Sequence, residues 1–106
     1  MSIFFVENYV VKAEKQEEFV PCLQEFLKYK EDHPNLFPGL KSWRLYRQRI
    51  GEPAGLYIEM WEYENLTQME QDRTFEEDEG MKRISSGFRE LVEPKTFSTS
   101  IWVQEG

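Results

Sequence analysis

The chain has 106 residues, the length of one domain with one core, and a formal net charge of -7 from 20 acidic and 13 basic side chains. That balance argues against nucleic acid and against anionic membrane surfaces as partners, since both need a basic footprint. A single cysteine, Cys22, and a single histidine, His33, leave no intrachain disulfide and no thiolate–imidazole cluster for zinc. No apolar run reaches the roughly 20 residues of a membrane span, and the opening Met1-Ser2-Ile3-Phe4-Phe5 lacks the basic start of a leader, so a cytoplasmic location is expected.

The elements read in order as strand, helix, strand, strand, helix, strand. Residues Ile3 to Val11 are rich in Phe, Val and Tyr, interrupted by Glu7 and Asn8, which predicts an interior strand covered on both faces. Phe19, Val20, Leu23, Phe26 and Leu27 recur at helical spacing, opposite Lys15, Gln16, Glu17, Gln24, Glu25 and Lys28. The helix starts near Glu14 and fades before His33-Pro34, with a kink or a restart expected at Pro21. Cys22, among apolar neighbours, reads as an inert buried thiol.

After the turn-rich Pro34 to Gly39, residues Leu40 to Ile50 alternate Trp43, Leu45 and Arg47 against Arg44, Tyr46 and Gln48. Gly51 to Gly55 is a hairpin loop. Leu56 to Tyr63 returns with Tyr57, Glu59, Trp61 and Tyr63 on one side and Leu56, Ile58 and Met60 on the other. Asn65 caps a helix from Leu66 that carries Met69 and Phe75 inward and breaks near Glu77. The acidic run Glu76 to Glu79 suits a helix start, lacks the ligand spacing of a calcium loop, and leads into a helix to about Val92. Thr96 to Val103 is the last strand.

This βαββαβ order predicts one α+β, ferredoxin-like domain over residues 1–106: an antiparallel sheet with helices on one face. The strands carry large apolar residues on both sides, so the free face needs a cover, and a homodimer supplies it. Aromatic residues make up 15% of the chain, a surplus that a core, a subunit interface or an apolar ligand pocket can use.

Three segments carry a family resemblance: Lys12 to Phe19, Pro38-Gly39-Leu40 before a strand, and Glu59-Met60-Trp61-Glu62-Tyr63-Glu64-Asn65-Leu66. Together they resemble the dimeric α/β-barrel superfamily, in particular its antibiotic-biosynthesis-monooxygenase-like and NIPSNAP-like members. The resemblance implies a homodimer and, for the monooxygenase-like group, oxidation of an aromatic or quinone-like substrate without metal or flavin. It carries Trp61 onto a pocket-lining position. The NIPSNAP-like likeness allows a non-catalytic homodimer instead.

The pocket candidates are Asn8, Tyr57, Glu59 and Trp61, with a small aromatic ligand as the expected occupant, no cofactor and no metal. Asn8 is an amide in an apolar strand and needs a hydrogen-bond partner that a ligand atom could be. Glu59 is the one evident candidate base. Trp43 and Arg47 are interface candidates, with Arg47 paired across the hairpin to Glu59 if the register sets them opposite. No catalytic residue is assigned. His33, in a loop beside Pro34, reads as solvated rather than as a haem ligand.

Overall fold

The computed structural model describes residues 1–106. The strands are β1 (Ile3–Val10), β2 (Ser42–Arg47), β3 (Leu56–Tyr63) and β4 (Ser98–Val103), and the helices α1 (Gln16–Asp32), α2 (Leu66–Asp72) and α3 (Glu79–Arg89). The sheet order is β2-β3-β1-β4, antiparallel throughout, so the chain is α+β with the ferredoxin-like arrangement. No helix is long and apolar enough to cross a membrane.

The interior position expected of the first strand is found: β1 pairs with β3 on one side and β4 on the other. Asn65 caps α2 by accepting from the Gln68 backbone N–H at 2.8 Å. The predicted break is a 3₁₀ turn over Arg73–Glu77, after which Asp78 caps α3 by accepting from Met81 N–H at 3.1 Å. Tyr29 of α1 donates to the same Asp78 carboxylate at 2.6 Å, tying the two long helices at one end.

Two expectations need correction. Helix α1 runs unbroken through Pro21, because the proline is exposed and the carbonyl it cannot bond, that of Glu17, lies on the wet side of the helix. The hairpin sets Leu45, not Arg47, opposite Glu59; Arg47 faces Tyr57. The loop consumes Gln48 to Gly55 and closes with Gln48 N–H on the Leu56 carbonyl at 2.8 Å, so the pairing slips by two residues from the expected one. Arg47 is exposed and makes no ion pair with Glu59.

Directly opposed residues in an antiparallel ladder share a face. Ile3, Phe5, Glu7 and Tyr9 of β1 therefore stand with Tyr57, Glu59, Trp61 and Tyr63 of β3 under the helices. Two apolar clusters form there. One holds Trp61, Tyr63, Phe37, Met69, Phe75, Met81 and Ile84, and the other Tyr9, Tyr57, Phe19, Leu91 and Val92. Each large side chain buried this way contributes roughly 1.5–3 kcal/mol. The opposite face carries Phe4, Val6, Val10, Leu56, Ile58 and Met60, and no element of the chain covers it. At its margins Trp102 is 60% and Tyr46 49% exposed.

A carboxylate pair in an aromatic cavity

The two clusters do not merge. Glu7 and Glu59 stand opposite each other at their junction, and above them a cavity of about 490 Å³ opens between the sheet and helices α1 and α3. Rings contribute much of its wall: Phe5, Tyr9, Trp43 and Trp61 from the sheet, Phe19 and Phe26 from α1, Phe75 and Phe88 from the later helical segments. Trp61 and Phe75 stack at 5.3 Å with an interplanar angle of 8°. The exposed residues of the lining, Glu76, Lys82, Arg89, Phe97 and Thr99, mark the mouth.

The two carboxylates sit in different surroundings. Glu59 accepts from the Tyr9 hydroxyl at 2.6 Å through Oε2 and from Trp43 Nε1–H at 3.0 Å through Oε1. Burial raises its pKa, and these donors pull it back. Both oxygens accept, which favours the ionised form, but burial outweighs the donors and the net direction is upward. The cost falls on Tyr9, whose hydroxyl is held protonated far above its usual range by burial and by the neighbouring Glu59 charge.

Glu7 makes no hydrogen bond and no ion pair within the chain. Its pKa is raised to about 7, first by burial and then by the Glu59 charge opposite, against a lowering pull from Arg73. Trp61 Nε1–H lies close enough to pull both carboxylates downward but reaches hydrogen-bond geometry with neither, and it is buried without a partner. Arg73 presents its guanidinium to the Phe5 ring at 3.7 Å and bonds Glu76 through Nε and Nη2 at 3.1 and 2.7 Å. A carboxylate raised to near neutrality on the wall of a cavity is a physical mark of a proton acceptor.

Of the residues singled out from sequence, Glu59 and Trp61 line the cavity together. Trp43, expected at an interface, lines it too and holds Glu59. Tyr57 lies in the core beside it, 8% exposed and stacked on Tyr9 at 6.1 Å. Asn8 is on the other side of the sheet, where its side-chain oxygen accepts from Ser98 Oγ at 2.7 Å, because its neighbours Glu7 and Tyr9 take the helix side. His33 is exposed and stacks on Tyr29 at 4.0 Å. Cys22 is half-buried on the cavity wall, its thiol pushed up by burial. Glu7, Tyr9 and Arg73 were not among the candidates. The signal for Glu7 was its parity with Phe5 and Tyr9 in a strand read as covered on both faces. No three His, Cys, Asp or Glu side chains converge as a metal ion would need.

By sequence, no protein-family pattern and no curated protein matches the chain. By structure, the chain has the fold shared by NIPSNAP family proteins and antibiotic biosynthesis monooxygenases, as the resemblance implied. A NIPSNAP family protein from Agrobacterium tumefaciens superposes with a TM-score of 0.74 at 20% identity, over 98% of this chain and 87% of the other. An antibiotic biosynthesis monooxygenase gives 0.72 at 10% identity, over 98% and 99%. SnoaB, a cofactor-independent oxygenase from Streptomyces nogalater, gives 0.62 at 16% identity, over 99% and 94%.

Proposed function

We propose that this protein binds a planar aromatic small molecule, of phenolic or quinone-like type, in the cavity between sheet and helices, and that Glu7 accepts the hydroxyl proton of a phenolic ligand. The observation that carries this reading is the Glu7 carboxylate, unpartnered and raised to about 7, on the wall of an aromatic cavity opposite Glu59. Rings offer stacking surface for a flat ligand, and a base titrating near the working pH combines availability with driving force. Tyr9 and Trp43 act as positioning residues, since they hold Glu59 and so set the field at Glu7. The cofactor-independent oxygenase with this fold supports a reaction in which the substrate supplies its own electrons and the protein supplies proton abstraction and orientation.

The working unit in this proposal is a homodimer formed through the uncovered apolar sheet face. That face also favours a second reading, a non-catalytic dimer whose fold serves assembly, as the NIPSNAP likeness allows. Calorimetric and thermal-shift screening of planar phenols and quinones separates the two. Stabilising compounds whose binding is weakened by Trp61→Ala support the ligand site; no response to any planar aromatic compound leaves assembly alone.

A further inference from the structure

Inside the cavity one charged group, Glu7, is left without a partner and is surrounded by π faces; Arg89, also unpaired, is exposed at the mouth. Resting on the reading of this cavity as a ligand site, we propose that its preferred occupant is an arylalkyl amine, bound as the cation with its ammonium against Glu7 and its ring between the aromatic walls.

Three observations point to positive charge. Glu7 and Glu59 are directly opposed on β1 and β3, which places their Cβ atoms on the order of 5 Å apart. Glu59 has its two donors, while Glu7 has only the nearby Trp61 Nε1–H, outside hydrogen-bond geometry, so Glu7 is open to a ligand donor. The cavity wall already accommodates a cation: the Arg73 guanidinium lies 3.7 Å from the Phe5 ring centroid and 5.2 Å from that of Trp61.

A ligand anion meets the opposite conditions. It would face two carboxylates, and the internal cation, Arg73, already spends Nε and Nη2 on Glu76, with only the buried Nη1 left without a partner. The other cations of the lining, Lys82 and Arg89 of α3, are exposed at the mouth, and Lys82 is paired with Glu79 at 3.5 Å. A neutral ring bearing a hydroxyl can hydrogen-bond Glu7 but brings no countercharge to it. The net charge of -7 draws cations toward the chain at long range.

Binding is then linked to protonation. The groups facing Glu7 are Tyr9 on its own strand, Glu59 on β3, Arg73 and Glu76 on the 3₁₀ turn, Cys22 on α1, and Lys82 and Arg89 on α3; the Phe97–Thr99 segment brings none that titrates. Glu7, raised to about 7, is partly protonated near neutrality, and a bound ammonium favours its ionised form; Glu59, also raised by burial, shares in that linkage.

Isothermal titration of the full chain with three probes of one ring system tests this: tryptamine (cation), tryptophol (neutral) and indole-3-acetate (anion). The expected order is tryptamine tightest, by at least about tenfold over tryptophol, with indole-3-acetate weakest. Glu7→Gln should abolish the tryptamine advantage over tryptophol, and an advantage that survives this substitution overturns the role of Glu7. At pH 7, buffers of different ionisation enthalpy should report proton release with tryptamine only. Equal affinities, or indole-3-acetate tightest, overturn the amine assignment while the aromatic site stands. Silence from all three probes overturns the amine assignment as well, and the phenol and quinone screen then decides the broader reading on its own.

Discussion

Glu7 and Glu59 oppose each other across the β1–β3 ladder, yet only Glu59 is held, by Tyr9 at 2.6 Å and Trp43 at 3.0 Å. Both carboxylates are raised by burial, yet one is held by two donors and the other by none. They also divide the core, since rings pack on both sides of the pair but not across it.

The Glu7 carboxylate makes stability depend on pH. In the folded chain Glu7 keeps its proton up to about 7, against an ordinary 4.5. The native state thus binds more protons between those values, and Glu7 lowers stability as pH rises through that window. The cost by pH 8 is on the order of 3 kcal/mol. Glu7→Gln removes it, so urea denaturation should find the variant more stable than the parent at pH 8, by roughly 1–3 kcal/mol, and similar at pH 5. Parallel stability curves across this range would refute the assignment.

Glu59→Gln should act in the opposite direction. Trp43 Nε1–H is a donor only, so the amide oxygen must turn toward it and present its NH₂ to Tyr9, whose own proton then loses its acceptor. The expected loss is about 1–3 kcal/mol. A double-mutant cycle with Tyr9→Phe should show coupling, because removing the hydroxyl removes the conflict. Additive losses would show that Tyr9 does not depend on Glu59.

Much of this arrangement was legible in the residue pattern. Alternation from Leu56 to Tyr63 fixed β3 and its helix-facing set, and Asn65 with Gln68 marked the start of α2. Periodicity could not fix the hairpin register, because eight residues from Gln48 to Gly55 form the loop and their closure sets Leu45 opposite Glu59. It also concealed Glu7, which in one dimension is only an interruption in an apolar strand. The pairing with Glu59 exists only once β1 and β3 align. Arg73 was hidden for a similar reason: the end of α2 turns into a 3₁₀ segment that swings an apparent surface residue over Phe5.

Gly80, the second residue of α3, is buried against the Tyr29 hydroxyl and ring. A Cβ there would occupy the space of the Tyr29 tip, forcing it off the Asp78 carboxylate that caps the helix. Alanine usually stabilises a helix interior by about 1 kcal/mol relative to glycine. Here Gly80→Ala should instead destabilise the fold by roughly 1–3 kcal/mol, as an overpacked site that also loses a hydrogen bond to a charged group. Gly87 on the same helix has nothing within 4 Å of its Cβ position, so Gly87→Ala is the control and should stabilise. Denaturation midpoints of the two variants moving in the same direction would discount the Tyr29 contact.

The proposed dimer rests on the face opposite the cavity. Ile58 and Met60 of β3 flank Val6 and Asn8 of β1 there, with Trp102 60% and Tyr46 49% exposed at the sides. Two sheets packed face to face sit about 10 Å apart, and a stable pair buries on the order of 800 Å² per partner. A charge at the centre of that contact is costly to desolvate, whereas on a wet surface it changes little. Ile58→Lys should therefore convert a species of twice the chain mass into one of single mass in sedimentation velocity, with far-UV circular dichroism unchanged. Its melting temperature should also lose the dependence on protein concentration that a dimer imposes. A parent protein that sediments at single mass at micromolar concentration would refute the dimer, and the ligand site would then have to work within one chain.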